Sequence, residues 1–273
     1  MRLSILTLSA VLFLNSACGD VEARPTTGVG YISLTSQRGS TSYGYALFMA
    51  SRPANPGCTR SMIGECEVLE CVDAVVVPLP PRHNAGVITV AGLSLDSGFA
   101  FSFVDAGCFH CPAYDSVGVL PELWNGGETL TFAATGATGA NVPAFSGMTV
   151  KAPHPITVTA PACTDLPSPQ PNCSVSRTAD LTISWTGKAG TSVHAQLNSG
   201  RPNHLVSLSC RFDSSPGTIG AAAMAKLGKR DAGYSNHLSV LGSNQTKFSA
   251  GSYEITLEAN NSPEFGTFVD TSN

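Results

Sequence analysis

The chain has 273 residues, and only 12% of them are charged, which is about half the share in an average soluble domain. A formal net charge of −4 without a cluster of Lys and Arg argues against nucleic acid as a partner. A hydrophobic fraction of 42% is enough for a packed core, and 27 glycines and 18 prolines favour short strands joined by tight turns over long helices.

The N-terminal segment has the features of an export signal. Arg2 precedes an apolar stretch, 3–14, that is too short to span a bilayer, and small residues follow it. Cys18 comes directly after them and resembles the acceptor cysteine of bacterial lipoproteins. We therefore expect a signal peptide over 1–17 and a mature chain tethered to a membrane through a lipid on Cys18.

Two alternatives remain open for the start of the mature chain. An ordinary signal peptide would be cut after Ala23, where small residues occupy the required places, or Cys18 would be one more disulfide cysteine. If Cys18 carries the lipid, 18–26 forms the tether. In the lipoproteins that this segment resembles, Asp directly after the cysteine favours the inner membrane, so Gly19 indicates the outer membrane. The alternative location is periplasmic or secreted.

Nine cysteines are present, and setting Cys18 apart leaves an even number, which in an exported chain is typical of a set of disulfides. Cys163 and Cys173 flank a proline-rich loop that their pairing would close. Cys108 and Cys111 would close a small ring, or each would join a neighbouring strand. The expected disulfide cysteines are Cys58, Cys66, Cys71, Cys108, Cys111, Cys163, Cys173 and Cys210.

The cysteines also bear on the domain boundary. A cut near Lys151 leaves five of them on one side and three on the other, so complete pairing requires an odd number of bridges across the cut. We expect two bridges within the first group, and one remaining cysteine that pairs with Cys210. The alternatives are a free thiol on each side or no true boundary near Lys151.

Alternation of apolar and polar residues, which marks half-buried strands, recurs along the whole chain. One helix is predicted over 219–227, with Thr218 capping its start and Gly228 its end. Turn signals separate the apolar windows. The windows in which the alternation is clearest are 181–185, 193–197, 206–212 and 253–259.

This pattern predicts an all-β fold of two β-sandwich domains, with the short helix in the C-terminal one. The order Cys173, Trp185, Cys210 is similar to the cysteine–tryptophan–cysteine signature of immunoglobulin cores, although too few residues separate Trp185 from Cys210 for a true immunoglobulin domain. The expected division is an N-terminal β-domain at 27–150, a linker at 151–155 and a C-terminal sandwich at 156–273.

Several stretches of the chain, mainly in the second half, resemble predicted Gram-negative lipoproteins of unknown function. The resemblance is carried by 127–130, 144–147, 180–187 and 209–213, the last followed by the Ala-rich helix. It covers about half of the chain. It implies surface or periplasmic placement and carries no known chemistry or cofactor.

The Cys108-Phe109-His110-Cys111-Pro112 segment is the one motif whose spacing suggests chemistry. A Cys-x-x-Cys pair can act as a redox dithiol, but its flanks are typical of a loop, and a covalent haem site would need His where Pro112 stands. A zinc site would need a second ligand pair at matching spacing, and the sequence offers none. We therefore expect a structural disulfide here, with no metal and no cofactor.

Other candidate groups are weaker. Trp124 precedes a tight turn and, with Tyr114, is a possible binding aromatic; the competing interpretation is that Trp124 packs beneath the turn. The carboxylates Glu65, Glu67, Glu70 and Asp73 surround two cysteines and would form a solvated face or hold a cation. The six histidines are scattered, and no serine lies in a Gly-x-Ser-x-Gly elbow.

Together these features favour a lipid-anchored cell-envelope protein with a non-catalytic structural, adhesion or ligand-binding role. Its expected partners are the membrane, through the lipid, and envelope proteins or polysaccharide. The alternative is an envelope enzyme, either a thiol–disulfide oxidoreductase using Cys108 and Cys111 or a hydrolase with dispersed carboxylates. A secreted toxin without a recognisable motif is the third possibility.

Overall fold

In a computed structural model, the described residues form an all-β fold with one short helix, as the sequence predicts. Among the residues that it describes, no helix is long and apolar enough to cross a membrane. The described residues are 28–37, 42–51, 55–73, 82–94, 99–102, 114–115, 121–137, 142–164, 172–229, 235–261 and 264–270.

The strands are short and follow one another closely along the chain. In chain order the elements are β1 (Gly28–Ser36), β2 (Tyr43–Ala50), β3 (Cys58–Ile63), β4 (Cys66–Val72), β5 (Ile88–Ala91), β6 (Phe99–Phe101), β7 (Tyr114–Asp115), β8 (Thr129–Ala134), β9 (Phe145–Lys151), β10 (Ile156–Ala160), β11 (Cys163–Thr164), β12 (Asn172–Val175), β13 (Leu181–Gly187), β14 (Val193–Arg201), β15 (His204–Phe212), β16 (Gly217–Ile219), α1 (Ala221–Met224), β17 (Ser235–Ala250), β18 (Tyr253–Asn261) and β19 (Glu264–Asp270).

The chain divides into two compact units that do not coincide with the expected contiguous domains. The boundary between Ala152 and Pro153 falls inside the expected linker, but each unit also takes segments from the other side of it. The cause is non-local strand pairing, because β4, early in the chain, pairs with β15. The first unit comprises Met1–Ala54, Pro78–Ala152 and Gln245–Ala259, and the second comprises Asn55–Val77, Pro153–Asn244 and Asn260–Asn273.

The first unit packs two sheets around one core. Strands β18, β1, β2 and β7 are neighbours in one sheet, and β6, β5, β8 and β9 in the other. Ile32 and Leu34, two residues apart on β1, are fully buried in the core together with Phe132 of β8, as expected of the inward positions of a strand. This is the arrangement of a β-sandwich.

The second unit is built in the same way. Strands β3, β4, β15, β14 and β17 are neighbours in order, and β17 also pairs with β19, which lies parallel to β12. The second sheet contains β10, β13 and β16. Leu197, Leu208 and Ile183 are fully buried between the sheets, and Met224 of α1 joins the same core.

The helix is shorter than predicted and is capped differently. Thr218, the expected cap, lies in β16 opposite Thr182 of β13, so the helix begins only at Ala221. Its first backbone N–H donates to Asp180 Oδ1 at 2.7 Å, which replaces a local cap by one that is distant in sequence. The expectation of a helix over 219–227 was therefore wrong at both ends.

Candidate functional site

All six cysteines within the described part of the chain are disulfide-bonded. The pairs are Cys58–Cys71, Cys66–Cys210 and Cys163–Cys173, with Cα atoms 4.0, 4.2 and 4.1 Å apart. Each pair joins residues that lie directly opposite one another on neighbouring antiparallel strands. These cysteines therefore fasten strand pairs.

The pairing confirms two expectations about the cysteines. Cys163 and Cys173 close the proline-rich loop, and Cys66 pairs with Cys210 across the expected boundary. Because Cys173 and Cys210 bond to other partners, they do not form the disulfide that packs against the tryptophan of an immunoglobulin core. Trp185 is only partly buried, with its ring centroid 6.5 Å from that of Phe212.

The remaining predicted thiols lie outside the described residues. Cys18, Cys108 and Cys111 all belong to this group. The lipid on Cys18 and the state of the Cys-x-x-Cys motif therefore stay predictions.

The two aromatic residues named as possible binding residues are buried, and for Trp124 the competing interpretation, packing beneath the turn, is the one that the structure supports. Trp124 is 1% exposed and belongs to the core of the first unit. The fully buried Tyr114 accepts a hydrogen bond from Ala85 N–H at 2.6 Å and donates one to the Gly86 carbonyl at 2.9 Å. Burial raises the pKa of Tyr114. Neither side chain is available to stack on a ligand, because Trp124 and Tyr114 of β7 both pack in the core of the first unit.

The predicted acidic cluster does not form one site. Glu67 and Glu70 are three residues apart on β4, so they lie on opposite faces of the sheet. Glu67 pairs with Arg60, whereas Glu70 lies 3.4 Å from His204 Nε2 and 3.3 Å from Lys226 Nζ. No group of three metal-binding side chains occurs among the described residues. The pattern is that of surface ion pairs.

A buried tyrosine–carboxylate cluster, which the sequence analysis did not identify, lies in the first unit. Glu258 of β18 is 2% exposed and accepts a hydrogen bond from the hydroxyl of Tyr31. The ring centroids of Tyr31 and Tyr45 are 5.5 Å apart. Burial, followed by the charge of Glu258, raises the pKa of both tyrosines well above the usual range. The phenols therefore stay protonated, and that of Tyr31 donates to the buried carboxyl group of Glu258, which is a structural role.

The second unit carries a further group of polar side chains on the sheet face turned away from its core. We call this group the polar face. Along β14, β15 and β17 these residues alternate with those of the core, and Leu205 and Leu241 lie on the same outer face. The polar face consists of His194, Gln196, Asn198, Ser207, Ser209 and Ser239.

Several members of the polar face are strongly shielded from solvent. His194 and Asn198 are each 7% exposed and Ser207 is 8% exposed. The imidazole of His194 is held by a 2.8 Å hydrogen bond between Nε2 and Ser209 Oγ. Side chains on paired strands are held rigidly, so these groups have fixed directions. The polar face is the best candidate site in the described chain.

The chemistry of the polar face favours binding over bond cleavage. A serine–imidazole contact is part of a nucleophile arrangement, which also needs a group that orients the base. The residues opposite His194 on the two neighbouring strands are Arg211 and Leu241, and neither supplies a carboxylate. Arg211 itself donates to Ser243 Oγ at 3.2 Å.

A signal for the polar face was present in the sequence. The window 193–197 alternates apolar and polar residues, so His194 and Gln196 fall on the outer face once a strand is assigned. The serines of β15 and β17 could not be grouped with these residues from the sequence, because only the pairing of β14 with β15 and β17 brings them together.

No protein-family model matches this chain, and no curated protein matches it in sequence.

Proposed function

We propose that the protein is a lipid-anchored component of the bacterial cell envelope with a non-catalytic structural, adhesion or ligand-binding role. The observation that carries this proposal is the complete disulfide bonding of the described cysteines. Disulfides persist in oxidising compartments and are rare in the cytosol. The N-terminal segment, with its apolar stretch followed by Cys18, supplies the means of export and attachment.

Two further features favour a non-catalytic role. The carboxylates Glu67 and Glu70 are engaged in ion pairs, and the buried Glu258 is solvated by a tyrosine hydroxyl. The polar face offers donors and acceptors in fixed positions, which suit recognition of a ligand. The outer membrane is the proposed location because Gly19, and not Asp, follows the acceptor cysteine.

Metabolic labelling with palmitate in a Gram-negative host tests the anchor. The full chain should take up label, and Cys18→Ala should abolish the uptake, because no other residue can accept the lipid at the processed N-terminus. The double variant Cys58→Ala/Cys71→Ala is the matched control and should keep the label. Equal labelling of Cys18→Ala and the parent chain, or no label in either, would contradict the proposal.

Thiol alkylation of the native protein distinguishes the scaffold from the alternative oxidoreductase. A redox-active Cys108–Cys111 pair would be reduced by mild dithiothreitol and then alkylated, whereas a structural pair would resist until the chain is denatured. Membrane fractionation of the labelled protein then tests the outer-membrane location. Label in the inner-membrane fraction alone would refute that part.

A further inference from the structure

Asn198 lies at the centre of the polar face, and its amide oxygen has no hydrogen-bond partner among the described residues. Asn198 is 7% exposed. Its neighbours across the strand pairs are Ser207 and His237. An unpaired buried amide reduces stability, so such groups are normally matched by water or by a ligand.

A glycine lies beside this amide. Gly200 is two residues further along β14, on the same face as Asn198, and it pairs with Leu205. Among the described residues, a Cβ atom added at Gly200 would meet only Leu205 Cδ1, at 3.4 Å, which is an ordinary van der Waals contact. Glycine within a strand often marks a place where a ligand approaches the backbone closely. The missing side chain at Gly200 leaves a notch next to the unpaired amide oxygen of Asn198.

The groups around the notch indicate the class of ligand. Amides, hydroxyls and an imidazole can each both donate and accept hydrogen bonds, as can the hydroxyls of a sugar. The neighbouring charged side chains already have partners within the protein. Arg60 forms an ion pair with Glu67, and Arg211 donates a hydrogen bond to Ser243. An apolar ligand would bury these polar groups unpaired, which is unfavourable.

We infer that the polar face of the second unit binds a neutral saccharide, with Asn198 as its central hydrogen-bonding residue and the notch at Gly200 admitting a sugar ring or hydroxyl. This assignment deepens the ligand-binding role proposed above and rests on it. His194, held by Ser209, and the hydroxyl of Ser207 flank the amide and supply further contacts.

Affinity electrophoresis of the purified full chain tests the assignment. The probes are the neutral polysaccharides dextran, mannan and glycogen, the neutral oligosaccharides cellohexaose and chitohexaose as soluble competitors, and polygalacturonate as an anionic comparison. The variants are Asn198→Leu, which removes the amide at similar size, and Gly200→Val, which fills the notch with a residue suited to strands. Gln245→Ala removes an exposed amide of the first unit and is the matched control.

We expect at least one neutral glycan to retard the parent chain and the Gln245→Ala variant equally. Both Asn198→Leu and Gly200→Val should bind that glycan at least tenfold more weakly. Asn198→Leu should also unfold at a urea concentration no lower than that of the parent, because it removes an unpaired buried polar group. A purely structural asparagine would give the opposite shift.

Three results would overturn the assignment: no retardation by any neutral glycan, binding by Asn198→Leu equal to that of the parent, or retardation by polygalacturonate alone. If Asn198→Leu folds poorly, Gly200→Val still decides the question. This variant should lose glycan binding while its urea unfolding midpoint stays equal to that of the parent. Palmitate labelling of the same variants separates the two proposals, since the anchor on Cys18 does not depend on Asn198.

Discussion

Removal of the Cys66–Cys210 disulfide should destabilise the protein more than removal of Cys58–Cys71. The two bonds span 144 and 13 residues of sequence, respectively. In the chain-entropy model the longer loop stabilises the fold by about 5 kcal/mol and the shorter by about 3 kcal/mol, because the cross-link restricts the unfolded chain more. Cys66 and Cys210 are also fully buried in the core, so the loss of packing acts in the same direction.

The comparison needs two double variants, Cys66→Ala/Cys210→Ala and Cys58→Ala/Cys71→Ala, with the second as the matched control. Urea unfolding followed by circular dichroism gives the free energy of unfolding of each relative to the parent. We expect a difference of at least about 2 kcal/mol between the variants, from the two loop lengths. If the control loses as much stability as Cys66→Ala/Cys210→Ala, the reasoning from loop length is refuted.

Two further predictions concern the first unit and the helix. Because the folded pKa of Tyr31 and Tyr45 is raised, their contribution to stability is complete below the unfolded pKa of about 10 and is lost as the pH rises through the folded pKa. Urea midpoints between pH 8 and 11 should therefore fall, and should fall less steeply in Tyr31→Phe/Tyr45→Phe. Separately, Asp180→Ala removes the acceptor for Ala221 N–H and should lower the free energy of unfolding by about 1 kcal/mol in the same urea assay.

Each of these predictions has its own control. If the urea midpoint falls equally steeply with rising pH in the parent and in Tyr31→Phe/Tyr45→Phe, other groups account for the loss of stability. Asp180→Asn keeps a side-chain oxygen as acceptor and should retain most of the stability that Asp180→Ala loses. Equal losses in Asp180→Asn and Asp180→Ala would mean that the carboxylate charge, and not the hydrogen bond, is what matters.

The all-β class and many individual strands were predictable because their signal is local. Alternation with a period of two residues marks the inward positions of a strand wherever its partner lies. The alternation at 181–185 and 193–197 correctly indicated β13 and β14. The Cys163–Cys173 bond was also predictable, since both residues flank one short loop.

The helix and Trp124 show where local signals fail. The Ala-rich segment has helical propensity, but Thr218 is taken into β16 by its pairing with β13, which shortens the helix. Trp124 stands next to a tight turn, a position that is compatible with exposure as well as with burial. Only the packing of its loop on the core shows that it is buried.

The sequence was thus sufficient for what depends on near neighbours: strand periodicity and the disulfide across one short loop. Pairing between distant strands required the tertiary structure, because register is set by which faces can be buried together. The pairing of β4 with β15 assigns the segment Asn55–Val77 to the second unit and joins Cys66 to Cys210. The same kind of pairing, among β14, β15 and β17, assembles the polar face around Asn198 from residues that are far apart in the chain.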